Sequence, residues 1–107
     1  MAVSLDGTIL DWDYFFKQLD AGMNIDETGF YFSDDPMECE HYLGYIQDSY
    51  WIGYCDIEDG CDFSSAAELV NAPVFDGKSF QERWDNVVIC SIEGIGVEDW
   101  LKFMSHV

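Results

Sequence analysis

Positive charge is what this sequence most lacks: 4 Lys and Arg stand against 22 Asp and Glu, a formal net charge of -18 over 107 residues. Phosphate contacts need clustered Lys and Arg, so nucleic acid is a poor partner for this chain. An anionic membrane surface is disfavoured on the same ground. There is no run of about 18 apolar residues to span a bilayer. The opening segment, MAVSLDGTIL, has neither the basic n-region nor the long apolar h-region of a secretory signal. These absences predict a cytoplasmic protein.

Histidine is scarce as well, with His41 inside an acidic stretch and His106 beside the C-terminus. With two imidazoles and almost no cation to stabilise developing negative charge, the residues do not point to an enzyme, and no catalytic residue is assigned. A carboxylate pair suits glycoside hydrolysis, but among 22 acids some pair falls at the required separation by chance.

Metal motifs are equally thin. Asp56-Ile57-Glu58-Asp59-Gly60 falls short of a complete calcium loop, because Gly60 comes one position early and Ala67 stands where a bidentate Glu belongs. Cys39-Glu40-His41 and the pair Cys55 and Cys61 hold zinc-type ligands without the close C-x-x-C spacing of structural sites. No metal or cofactor is implied. Without a secretory signal, Cys39, Cys55, Cys61 and Cys90 read as reduced thiols, with disulfides as the minority reading and Cys55 and Cys90 acting as small buried hydrophobes.

Apolar residues, by contrast, are plentiful: 49% of the chain is hydrophobic and 17% aromatic, which is too apolar for a disordered acidic tail. The length suits one domain, and area scaling gives a folded surface of about 6,000 Å². Residues 11 to 22 predict a helix with Asp11 as N-cap, apolar Trp12, Phe15, Phe16 and Leu19 on one side, and Gly22 as the stop. Val3 to Leu10, split by Asp6-Gly7, predicts a small hairpin. Phe30 to Phe32 and Tyr50 to Cys55 read as strands, Tyr42 to Ile46 as a weaker one, and residues 33 to 49 as the longest loop. Ser65-Ala66-Ala67-Glu68 and Ser79-Phe80-Gln81-Glu82 have capping-box spacing. Val87 to Ile92 is the clearest strand, and Val97 to Met104 closes the chain as an amphipathic helix. The pattern fits an α+β domain over residues 1 to 107, a mostly antiparallel sheet packed with three or four short helices.

Charge is unevenly placed along this frame. Residues 18 to 77 contain fourteen carboxylates and no Lys or Arg. Two stretches are densest, one with Asp34, Asp35, Glu38 and Glu40 and one with Asp56, Glu58, Asp59 and Asp62. Each follows aromatics, Phe30-Tyr31-Phe32 and then Tyr50-Trp51-Ile52-Gly53-Tyr54. Strand alternation places Tyr50, Ile52 and Tyr54 on one face and Trp51 on the other, so one face is available to a partner. Such self-repulsion costs stability, and a basic partner is its most economical explanation. A nuclease cleft must be positive to hold phosphates, and carboxylates spaced about 6.6 to 6.8 Å apart along a strand, as Glu38 with Glu40 or Asp56 with Glu58, can occupy phosphate positions. The opposite charges steer encounter, while Tyr50, Trp51 and Tyr54 supply desolvated anchors. The candidate binding residues are therefore the eight acids of the two stretches and these three aromatics.

The segments Leu10-Asp11-Trp12-Asp13-Tyr14-Phe15-Phe16, Glu27-Thr28-Gly29-Phe30-Tyr31-Phe32, Gly53-Tyr54-Cys55-Asp56-Ile57 and Val97-Glu98-Asp99-Trp100-Leu101 together resemble small acidic immunity proteins of bacterial contact-dependent growth inhibition systems. That resemblance implies a protein that binds a cognate toxin nuclease, commonly an RNase or DNase, in the cytoplasm and blocks its active site. These proteins vary in fold and interface, so the resemblance assigns no role to any single residue. Two other readings stand beside it: a nucleic-acid mimic of the anti-restriction or anti-CRISPR kind, and a small enzyme or metal-binding module built on residues 56 to 62.

Overall fold

The computed structural model describes residues 2–22, 25–53 and 61–106. Its frame is a seven-stranded mixed sheet with three α-helices. The strands are β1 (Ala2–Ser4), β2 (Ile9–Leu10), β3 (Thr28–Phe32), β4 (His41–Ile46), β5 (Ser49–Gly53), β6 (Cys61–Phe63) and β7 (Val87–Ser91). Their order across the sheet is β2-β1-β7-β3-β4-β5-β6. β1 runs parallel to β7 and the remaining neighbours are antiparallel, so the sheet is mixed. β7 sits between β1 and β3, the interior position that its nearly continuous apolar run demands.

Local chemistry sets the helix ends. α1 (Trp12–Ala21) begins where the Asp11 carboxylate accepts the Tyr14 N–H, and stops where Gly22 takes a left-handed φ of 64° and returns its N–H to Gln18 and Leu19. α2 (Ala66–Asn71) is capped by Ser65, whose hydroxyl accepts the Glu68 N–H. α3 (Val97–Met104) has Gly96 at its N-cap and no cap side chain of its own. Asp6, from the β1–β2 hairpin, supplies the missing acceptor by taking the Glu98 N–H at 3.0 Å. That carboxylate also accepts from Ser4 and Thr8, and these hydrogen bonds hold its pKa well below the ordinary carboxylate range.

Three departures from the sequence reading have physical causes. The Ser79 capping box forms both of its reciprocal hydrogen bonds, at 3.0 and 3.1 Å, yet opens only turns and a 3-10 segment at Trp84–Asn86. β4 continues into β5 through Gln47-Asp48, both at positive φ (50° and 63°), so much of the expected long loop is a tight hairpin. That turn geometry normally signals itself with Asn-Gly, and Gln-Asp carries no such sign. Cys39 is disulfide-bonded, which corrects the reduced reading for that residue, whereas Cys61 and Cys90 are free.

All three helices lie on one side of the sheet. Phe15 and Leu19 of α1 are fully buried, and Trp12 and Phe15 meet Phe80 and Trp84 from the segment that crosses the same side. Phe30 of β3 packs against Phe75 and Phe80 at 6.0 and 4.9 Å, which fixes that segment over the sheet. Trp100 of α3 meets Tyr14 of α1 edge-on at 5.9 Å. Burying each such aromatic contributes roughly 1.5 to 3 kcal/mol. No helix among the described residues is long and apolar enough to cross a membrane.

Candidate partner-binding face

The second face of the sheet carries no helix among the described residues, and strand register states which side chains it presents. Gly29, Tyr42 and Gly53 lie side by side across β3, β4 and β5. The next row is Gly44, Trp51 and Asp62 across β4, β5 and β6. Towards the other edge the row is Ile9, Val3, Val88 and Tyr31. Tyr31, Tyr42 and Trp51 are half-buried.

Glycine explains why two of those rings sit close to the backbone. A Cβ at Gly29 would approach the Tyr42 ring to 3.0 Å, and one at Gly44 would approach Trp51 Nε1 to 2.9 Å, so each ring covers the glycine paired with it. Trp51 is further fixed by donating its indole N–H to Asp26 Oδ1 at 2.9 Å. Asp26 in turn donates its backbone N–H to Glu93 Oε1 at 3.3 Å. Asp26, Glu27 and Glu93 border a cleft of about 200 Å³, with Glu27 and Glu93 at positive φ of 54° and 53°.

Glu40 stands beside Tyr42, its Oε1 3.1 Å from the position of a Gly29 Cβ. Its charge, after the larger effect of burial, helps push the Cys90 thiol up to about 11. Asp62 is exposed next to Trp51. The face therefore alternates aromatic surface with carboxylates. None of the four Lys and Arg is on it: Lys17 belongs to α1, Lys102 to α3, and Lys78 and Arg83 to the segment packed beneath α1. Acids occupy both sides of the molecule, but only on the helical side do they have cations among them.

The expected binding residues divide accordingly. Glu40, Trp51 and Asp62 come together on the open face. Asp34 is instead drawn to the helical side, where it accepts from Arg83 Nη2 at 2.7 Å. Asp35 organises its own loop, taking the backbone N–H groups of Met37 and Cys39, which hold its pKa below the ordinary carboxylate value. Glu38 is exposed in that loop at a positive φ of 48°. Tyr50 is a correction: it is 7% exposed, lies on the helix-covered face, and donates its hydroxyl to the Asp20 carbonyl at 2.8 Å. Burial raises its pKa and makes it a core residue. Tyr54, Asp56, Glu58 and Asp59 lie outside the described residues, as does most of the 56 to 62 loop compared with a calcium site.

Sequence reasoning missed Asp26, Glu27, Tyr31, Tyr42 and Glu93. Glycine inside strands was the available signal, since Gly29 and Gly44 each mark a close approach over the sheet. Comparison with known proteins adds no identity: the chain matches no family model, no curated protein and no solved structure.

Proposed function

We propose that this protein is a non-catalytic inhibitor that lays its open sheet face over a basic nuclease domain, as an immunity protein does with its cognate toxin. The single observation behind the reading is that bare face, with Tyr42 and Trp51 held flat among Asp26, Glu27, Glu40, Asp62 and Glu93 and no Lys or Arg present. Half-buried aromatics at the centre of an interface supply the anchoring energy. Uncompensated carboxylates supply steering toward a cationic cleft and take positions that phosphates hold on the enzyme. The partner is a toxin nuclease, an RNase by preference, and the encounter takes place in the cytoplasm of the producing cell.

The test uses the full chain and the isolated basic nuclease domain of the toxin that this reading makes its partner. Equimolar protein abolishes RNA cleavage, and association slows by about tenfold when Glu40→Lys and Asp62→Lys are combined at low salt. Undiminished cleavage in the presence of excess inhibitor overturns the assignment. Wild-type association by the double variant removes the open face as the docking surface.

A further inference from the structure

On the helical side, away from the open face, a cavity of about 340 Å³ opens where β3 runs into the 33 to 40 loop. Phe32, His41 and Phe75 form its inner wall, their rings packed at centroid separations of 5.1 to 5.7 Å. His41 is 3% exposed. Two of the chain's four cations, Lys78 and Arg83, line this one cavity.

Both cations have binding capacity in reserve. The Arg83 guanidinium lies 3.7 Å above the Phe32 ring, with its side chain only 14% exposed, and among the described residues gives a single hydrogen bond, to Asp34. A guanidinium has five N–H donors, so most of this buried fork has no acceptor among the described residues. Lys78 has no ion pair among them either, although 22 acids are available in the chain. Asp35 and Asp76 line the same cavity, beside the Asp34 that pairs with Arg83.

The charges choose the ligand. A purely anionic molecule must enter the field of a protein with net charge -18. A purely cationic one can pair with Asp34, Asp35 and Asp76 but leaves the spare donors of Arg83 and Lys78 without an acceptor. A molecule bearing both charges avoids either cost, and the volume falls at the small end of the range for small-ligand pockets. We infer that this cavity binds a zwitterionic small molecule of the α-amino-acid class. Its carboxylate is held by Arg83 and Lys78, its ammonium is turned to Asp35 and Asp76, and an apolar side chain lies against Phe75. This site shares no residue with the open face and stands or falls independently of the inhibitor reading.

The probes are L-leucine and its two single-charge relatives, 3-methylbutylamine and 4-methylpentanoate, titrated at millimolar concentration into isotopically labelled full-length protein and followed by NMR. Leucine produces saturable shifts at Asp35, Asp76, Lys78 and Arg83, while each relative binds at least about tenfold more weakly. Lys78→Met and Asp76→Asn change exposed positions, and Asn tolerates the positive φ at 76. Each variant keeps the wild-type spectrum elsewhere and weakens leucine about tenfold. Absence of saturable shifts with leucine overturns the assignment. So does equal binding of either relative, or wild-type affinity in both folded variants.

Discussion

Along β4, alternate residues serve opposite ends: His41, Leu43 and Tyr45 turn toward the helices, while Tyr42, Gly44 and Ile46 turn outward. The inner series meets a covering layer of aromatic rings, and Leu43 is completely buried. No helix covers the outer series among the described residues, and Ile46 at its end is 53% exposed. One side of the strand is thus shaped by packing against the rest of the chain. On the other, glycines and flat rings leave a smooth surface edged with carboxylates. Polar burial is costly unless paired, so acids concentrate where water or a partner can meet them. The contrast teaches that the acidic character of this protein is compatible with a conventional apolar core because the described carboxylates stay at the surface of both sides while the apolar rings are enclosed between the sheet and its helices.

That division can be broken from the inside first. Replacing Phe30→Ala removes a fully buried ring that touches Phe32, Phe75 and Phe80. It lowers unfolding free energy by about 3 to 5 kcal/mol in urea titration. Gly44→Ala acts from the outside: its Cβ collides with Asp26 Oδ1 and comes within 2.7 Å of the Glu27 backbone nitrogen. The loss is about 1 to 3 kcal/mol. Gly53→Ala, whose nearest neighbours are 3.7 Å away, changes stability by under about 0.5 kcal/mol in the same assay.

Asp6 sharpens the comparison through pH. Its folded pKa lies below the ordinary value of 3.8, held there first by Ser4 and then by the Glu98 N–H. Its contribution is therefore present above that ordinary value and fades as pH falls toward the folded pKa. Asp6→Asn lowers the melting temperature at pH 7, and the gap from wild type narrows steadily below about pH 4. A gap that stays constant across the acid range contradicts the role of this carboxylate in tying the hairpin to α3. The smallest effect on stability belongs to Glu40→Lys and Asp62→Lys, each within about 0.5 kcal/mol of wild type by thermal unfolding. A marked rise in stability for either shows that repulsion on the open face costs the fold more than its exposure to water suggests.

Much of the frame was legible because its signals act over three or four residues. Asp11 and Gly22 bracket α1 by accepting and donating hydrogen bonds to groups within one turn, and the apolar run of β7 needs no knowledge of its neighbours to read as an interior strand. Tyr50 was misplaced because its composition suits an anchor as well as a core residue, and only the Asp20 carbonyl from α1 distinguishes the two. β6 escaped notice since Cys61–Phe63 is short and becomes a strand only beside β5. Asp26 and Glu93 gave no hint of meeting, being 67 residues apart in sequence.

By itself, then, the sequence determined an α+β chain with an apolar interior, an excess of negative charge, and two alternating sets of side chains on each strand. It did so because caps, turns and period-two alternation are local chemistry. Tertiary structure alone decided which set would be covered, which acids would find cations, and which glycines would lie beneath rings. Those outcomes depend on contacts between segments distant in sequence, where the docking of three helices on one side leaves the other side to the solvent or to a partner.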